Sequence, residues 1–230
     1  MKRLLIAIIA CYGASGVDMD TVIHIIRHGE SLANAARVYI GQMDWDLSER
    51  GYEQAEAAAR YLSDLHVDAI YSSDLKRAYN TALAHARVHG LEVTPCRELR
   101  EICLGEWEGH KVEWLAEQYP KDFAVDWRTR FGVCKVPGGE SVREAGERFY
   151  RKVLEIAKRH VGGTVIIASH AAVIRSFYGI VLGASPEELC DTVPFPTNAS
   201  TTTVGFDGER LVPLRYGFDE YFDTPTHVDA

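Results

Sequence analysis

The apolar positions of this chain fall into runs separated by polar, helix-periodic stretches. Thr21–Ile26 (TVIHII) is nearly continuous in apolar character, as expected of a strand covered on both faces. Ser48 to Leu65 places Ala55, Ala58, Ala59 and Leu62 on one side of an amphipathic helix, with Ser48 as its N-cap. Ala69–Tyr71 predicts a short strand, Asp74 caps a helix to about His89, and Glu92–Thr94 is another short strand. Ser141-Val-Arg-Glu144 is a capping box opening a helix to about His160, where Gly162-Gly163 breaks it. Thr164–Ala168 (TVIIA) predicts a second buried strand, and His170 to Gly183 a helix. Ser185-Pro-Glu-Glu188 is a second capping box, with Pro186 at its first helical position. Thr201–Phe206 and Leu211–Arg215 flank the hairpin signal Asp207-Gly208.

Alternating strands and helices predict an α/β fold: a three-layer αβα sandwich with a mostly parallel sheet. The helical, Trp-rich stretch from about 105 to 139 predicts a small cap over one end of the sheet, inserted in a domain of residues 19–230. Residues 1–18 are set apart. Lys2 and Arg3 followed by the apolar run Leu4–Cys11 have the shape of a short signal, and Met19 offers an alternative start just before the first strand. The run is too short to span a bilayer as a helix, so no stable membrane span is expected. The expected location is cytoplasmic, or exported if residues 1–18 are a true signal.

Composition narrows the function classes. The 230 residues carry a net charge of −8, which opposes nucleic acid and anionic membrane as partners. Apolar residues make up 47% and charged residues 25%, ordinary for a globular domain and against disorder or a coiled coil. The five cysteines, Cys11, Cys96, Cys103, Cys134 and Cys190, are irregularly spaced without a CxxC pair, so neither a disulfide framework nor a zinc site is expected.

In such a sheet the site lies beyond the C-terminal strand ends. The first buried strand runs into Arg27-His28-Gly29-Glu30-Ser31 and the second into Ser169-His170. Arg77 follows a third strand, and Glu101 lies just after a fourth. Two arginines, two histidines and a carboxylate at one sheet edge make a phosphate site with a proton donor, because guanidinium forks match phosphate oxygens. The Arg27–Gly29 turn and a helix starting near Ser31 are expected to add backbone N–H groups. Asp44-Trp-Asp46 has the spacing of an aspartyl-phosphate pair but no apolar strand before it, so a surface turn is expected. No Gly-Lys-Ser/Thr loop is present, and no cysteine precedes an arginine by six positions. His24 reads as a packed strand residue, and Trp107, Trp114 and Trp127 as cap packing.

These residues resemble the histidine phosphatase superfamily, the group that includes cofactor-dependent phosphoglycerate mutase. Arg27 to Glu30 matches its Arg-His-Gly-Glu signature, and its later asparagine matches Asn34. Gly41 through Gly51, Ser72 to Ala78, Leu99 to Gly109, Pro137 to Ser141, Ser169-His170 and Asn198 to Ser200 follow its further motifs in order, over about residues 20 to 216. Many relatives have glycine after the second histidine; here Ala171 stands there and is expected simply to start a helix.

The resemblance implies phosphomonoester hydrolysis through a phosphohistidine on His28. Arg27, Arg77, Asn34, Gly41 and His170 would hold the phosphate, and Glu101, with rivals in Glu98, Glu106 and Glu108, would be the proton donor. Cationic side chains take the part of a metal, so no cofactor and no metal are expected. The partner implied is a small-molecule phosphomonoester; the oligomeric state is left open. Two alternatives stand beside this. One is a phosphoglycerate mutase, disfavoured because Gly109 to Pro137 is short and lacks paired arginines. The other is a catalytically silent phosphate-ligand binding protein. Lys111, Arg128, Arg130 and Lys135 are candidates for selecting the leaving group.

Overall fold

The computed structural model describes residues 19–222, so the signal reading of residues 1–18 lies outside the described residues. A six-stranded sheet has the order β4-β3-β6-β1-β7-β8. Its strands are β1 (Thr21–Arg27), β3 (Ala69–Ser72), β4 (Val93–Pro95), β6 (Thr164–Ser169), β7 (Thr201–Phe206) and β8 (Leu211–Phe218). β1, β6, β3 and β4 run parallel, while β7 is antiparallel to β1 and β8 to β7. Register puts Arg27 beside Ser169 and Ser72 beside Ala168, so three strands end at one edge. β2 (Val38–Tyr39) and β5 (His110–Lys111) form a separate two-stranded ribbon.

Helices cover both faces, as the alternation predicted. On one face Ile26, Ile70 and Ile166 pack with Leu62 and with Ala82 and Ala86 of α3 (Lys76–His89); Leu62 closes α2 (Glu49–Tyr61). On the other, Ile23, Ile25, Val165 and Ile167 meet α5 (Val142–Arg159) and α6 (Ala171–Leu182) through Phe149, Val153, Ile156, Val173 and Phe177. Burying such side chains contributes about 1.5–3 kcal/mol each.

The segment between β4 and α5 is less helical than its sequence pattern predicts. It holds 3₁₀ turns at Gly105–Trp107 and Phe131–Val133, the short α4 (Val112–Gln118) and a π-helical turn at Asp122–Trp127. Trp107, Phe123, Trp127 and Phe131 are buried in the main core through edge-on ring contacts. Trp114 departs from the expectation: it is 40% exposed and stacks on His110 at 3.8 Å.

Two predicted caps differ. Asp74 does not cap α3; Leu75 holds the N-cap position, and the Asp74 carboxylate pairs with Arg100, both oxygens at 2.6 Å. The first N–H of α3, at Lys76, instead donates to Asp44 Oδ1 at 2.7 Å. Asp44 thus lies in a turn that serves a neighbouring helix, and Asp46 accepts from Leu47 N, Tyr52 and Asn80. The Ser185 box is half-made: Glu188 accepts from Ser185 N at 3.0 Å, but the helix itself, α7 (Leu189–Thr192), starts only afterwards. The Ser141 box forms in full, Oγ accepting from Glu144 N and Glu144 accepting from Ser141 N. Small shifts complete the comparison: α2 ends at Tyr61 rather than Leu65, and β8 continues to Phe218.

Candidate active site

The cavity at the C-terminal strand edge has a volume of about 360 Å³ and is lined by Arg27, His28, Asn34, Gly41, Arg77 and Glu101 among others. Six of the seven candidate residues therefore share one wall. The seventh, His170, lies directly behind, fully buried, its ring 5.2 Å from that of His28 and edge-on to it.

The turn after β1 is held by its backbone. His28 N donates to Ser169 O at 2.9 Å, Gly29 N to Thr81 Oγ1 at 3.1 Å and Glu30 N to Gln54 Oε1 at 2.7 Å. Ser31 N donates to Asn34 Oδ1 and Leu32 N to Asp46 O. These N–H groups are spent on the fold, which corrects the expectation that the turn and the helix after it would cradle phosphate. That helix, α1 (Leu32–Ala35), has only four residues. Phosphate binding falls to side chains. The turn also needs its glycine: a Cβ on Gly29 would collide with the Gly51 carbonyl, and one on Gly51 with the Glu30 carbonyl. Opposite them, the His28 carbonyl accepts from Ala199 N at 3.1 Å and Asn198 Nδ2 at 3.2 Å.

His28 is oriented and neutral. Its Nδ1 is 2.6 Å from Gly29 O, so Nδ1 carries the proton and Nε2 keeps its lone pair. Burial, then the charges of Arg77 and Arg27, hold its pKa well below the usual histidine value. Burial comes first, ahead of the arginines that the sequence pointed to. His170 is likewise kept neutral by burial and by Arg77, and both its ring nitrogens lack a partner. In the neutral ring one of these nitrogens is an N–H donor and the other an acceptor.

Arg77 is buried and Arg27 partly buried, and both are anchored from behind. Arg77 donates to Met43 O at 2.9 Å and Gly41 O at 2.7 Å. Arg27 donates to Pro196 O at 2.6 Å, and its buried Nε has no partner. Burial lowers both pKa values to about 10, so both remain cationic at neutral pH. Gly41 supplies this anchoring carbonyl from left-handed backbone, φ +44°. Asn34 accepts through Oδ1 from Ser31 and Asn198, and among the described residues no acceptor takes its Nδ2 donor.

Glu101 is the carboxylate that lines the cavity; Glu98, Glu106 and Glu108 do not. Glu106 accepts from the Tyr119 hydroxyl, and Glu108 from Gln42 N and Leu104 N. Glu101 Oε1 accepts from Ile102 N and Val173 N, and Oε2 from Ala172 N. Burial nevertheless outweighs these bonds and raises its pKa. Ala171 opens α6 with no left-handed backbone, as expected.

The sequence reading missed two residues. Arg148 of α5 donates to the carbonyls of Glu98, Arg100 and Glu101 and forks onto Glu140, whose Oε2 accepts from Cys103 N. It clamps both sides of Glu101. Arg37 lines the cavity mouth, whereas Lys111, Arg128, Arg130 and Lys135 do not line it. Arg148 comes from a segment distant in sequence with no local pattern to mark it, whereas Arg37 lies between the motif residues Asn34 and Gly41. Among the described residues no cluster of His, Cys, Asp or Glu could hold a metal ion, and Cys96, Cys103, Cys134 and Cys190 are free thiols. No described helix is long and apolar enough to cross a membrane.

The family model of the histidine phosphatase superfamily (branch 1) matches residues 23–219. The chain is 38% identical over 195 residues to phosphoserine phosphatase 1 of Hydrogenobacter thermophilus, covering 83% of this chain and 89% of that protein. It is 36% identical to a metal-independent phosphoserine phosphatase of Arabidopsis thaliana, covering 72% and 70%. A mycobacterial glucosyl-3-phosphoglycerate phosphatase solved with VO3 superposes with a TM-score of 0.79 at 28% identity, over 86% of this chain and 99% of that one.

Proposed function

This chain belongs to the histidine phosphatase superfamily, and we propose that it hydrolyses small phosphomonoesters by phosphorylating and dephosphorylating His28 Nε2. The observation that carries the reading is the Nδ1–H bond from His28 to Gly29 O, which leaves Nε2 unprotonated at the cavity wall.

His28 Nε2 attacks phosphorus in line; the N–P bond forms as the ester P–O bond breaks. Arg27, Arg77, Asn34 Nδ2 and a ring N–H of His170 hold the equatorial oxygens as their charge rises. Gly41 acts through its carbonyl, by fixing Arg77. Glu101, its pKa raised by burial, serves as the acid and gives its proton to the leaving oxygen. Its carboxylate then takes a proton from water. The hydroxide oxygen bonds to phosphorus, the N–P bond breaks, and inorganic phosphate leaves with His28 neutral again.

The alternative fate of the phosphoenzyme is return transfer to the dephosphorylated product, as in a mutase. That requires excluding water and clamping product. The test mixes enzyme, 3-phosphoglycerate and trace 2,3-bisphosphoglycerate, and follows 2-phosphoglycerate and free phosphate together. Free phosphate is expected to dominate, and a ³²P label from substrate should pass through an acid-labile phosphohistidine absent from His28→Ala. Isomer forming much faster than phosphate would overturn the reading in favour of a mutase. Binding without turnover of any ester would leave a silent phosphate-binding protein.

A further inference from the structure

Arg37 stands in left-handed backbone, φ +55°, just past the end of α1. Its N–H donates to Asn34 O at 3.0 Å and its carbonyl accepts from Val112 N at 3.2 Å, so the conformation is held from both sides. Glycine takes such a position without steric cost, whereas a side chain meets its own backbone. Ending the helix and joining the ribbon require only the main chain of Arg37. Residues kept in such conformations concentrate where the strain serves a site.

The side chain supplies the second observation. Arg27, Arg77 and Glu101 gather around His28, each acting on the charge of another. Arg37 is the remaining charged residue of the cavity lining. The wall that completes the cavity is apolar, built from Val38, Val112, Trp127 and Phe195 with Tyr39. Trp127 Nε1 donates to the Tyr39 hydroxyl oxygen at 3.2 Å, which leaves the phenolic O–H as a neutral donor on that wall. The cavity therefore has a cationic floor at His28 and a single further cation at its mouth. The Arg37 guanidinium is 61% exposed and lies 3.3 Å from an equally exposed Glu113 carboxylate. An exposed pair of this kind is weak, so Glu113 can yield its place to a ligand carboxylate.

We propose that Arg37 is a specificity-determining residue, and that the preferred substrates are phosphomonoesters whose leaving group carries a carboxylate, which the Arg37 guanidinium binds at the cavity mouth. The proposal rests on the phosphatase reading above and adds the chemical class of the alcohol.

The test uses matched esters. 3-Phosphoglycerate and sn-glycerol 3-phosphate differ by a carboxylate against a hydroxymethyl group, and 4-carboxyphenyl phosphate and phenyl phosphate form a larger pair. Within each pair the wild type is expected to favour the carboxylate ester in kcat/KM by about fivefold, the upper end for an exposed charge pair. In Arg37→Gly and Arg37→Asn, which both tolerate left-handed backbone, the ratio should fall to about one. Arg37→Lys should retain most of it. The Tm of Arg37→Gly should rise by about 2–4 °C as the backbone strain is released, marking the loss as one of recognition. A wild type without the preference, or variants that keep it, would overturn the proposal. Absence of phosphate release from all four esters would instead overturn the phosphatase reading.

Discussion

The carboxylate of Glu101 accepts from the backbone N–H of Ala172 at 3.1 Å, which ties the candidate acid to the helix that starts directly after His170. A second bond, from Val173 N to the other oxygen at 3.1 Å, fixes the carboxyl plane. The acid and the second histidine are thus held at the start of the same helix. Positioning a proton donor this rigidly matters because misplacement of about 1 Å can cost roughly 10²-fold in rate.

Glu101 and His28 set opposite limbs of the pH profile. His28, with its pKa lowered, stays a nucleophile well below the usual histidine pKa; Glu101, with its pKa raised, stays an acid above the usual carboxylate range. Rates on alkyl phosphates should therefore peak in the acid range and fall as pH rises through the Glu101 pKa. Glu101→Gln should lose that basic limb and about 10²–10³-fold in kcat on alkyl esters, and much less on nitrophenyl phosphate. Equal losses on both ester types would place the acid elsewhere.

Arg148 holds Glu101 through main-chain carbonyls rather than through its carboxylate. Arg148→Met should lower kcat about tenfold on alkyl esters with a smaller effect on nitrophenyl phosphate, and should destabilise the fold by about 2–3 kcal/mol by leaving Glu140 unpaired. Arg148→Lys should restore little, because an ammonium cannot fork onto Glu140. Leaving-group dependence separates this positioning effect from a general loss of structure.

His85 on α3 is fully buried with both ring nitrogens unpaired, and burial lowers its pKa to about 3. His89 on the same helix and His24 on β1 bear on it; His24 is lowered to about 4. The unfolded chain takes up these protons below its ordinary histidine pKa, while the folded chain does not. Stability should thus be complete above about pH 6.5 and decline as pH falls, by up to about 1.4 kcal/mol per pH unit for each histidine. Urea unfolding of wild type and His85→Leu at pH 7.5 and pH 5 should show a shallower decline in the variant; parallel declines would count against it.

Activity should survive dialysis against EDTA, since the proposed mechanism assigns transition-state stabilisation to Arg27, Arg77 and the neutral His170. Loss on chelation, reversed by a divalent ion, would contradict the mechanism.

Much of this was legible in local pattern. Nearly continuous apolar runs at Thr21 and Thr164 define central strands because a strand covered on both faces needs no alternation. The Ser141 box formed as expected because both partners lie within one helical turn. Asp74 misled for the complementary reason. Its local preference for capping α3 lost to a bidentate bond with Arg100, and Asp44, 32 positions before Lys76, took the cap.

The site divides along the same line. Sequence by itself determined which side chains stand at strand ends, because strand and turn periodicity is a property of neighbouring residues: His28, His170, Arg27, Arg77 and Glu101 follow from it. Tertiary structure alone decided how those groups are used. It spends the N–H groups of the β1 turn on Thr81 and Gln54, directs His28 Nδ1 to Gly29 O, and docks the Glu101 carboxylate on the first turn of α6. It also brings Arg148 to the site from a segment with no chemical signature. Hydrogen-bond allotment and desolvation depend on what else approaches a group in space, and chain order does not record that distance.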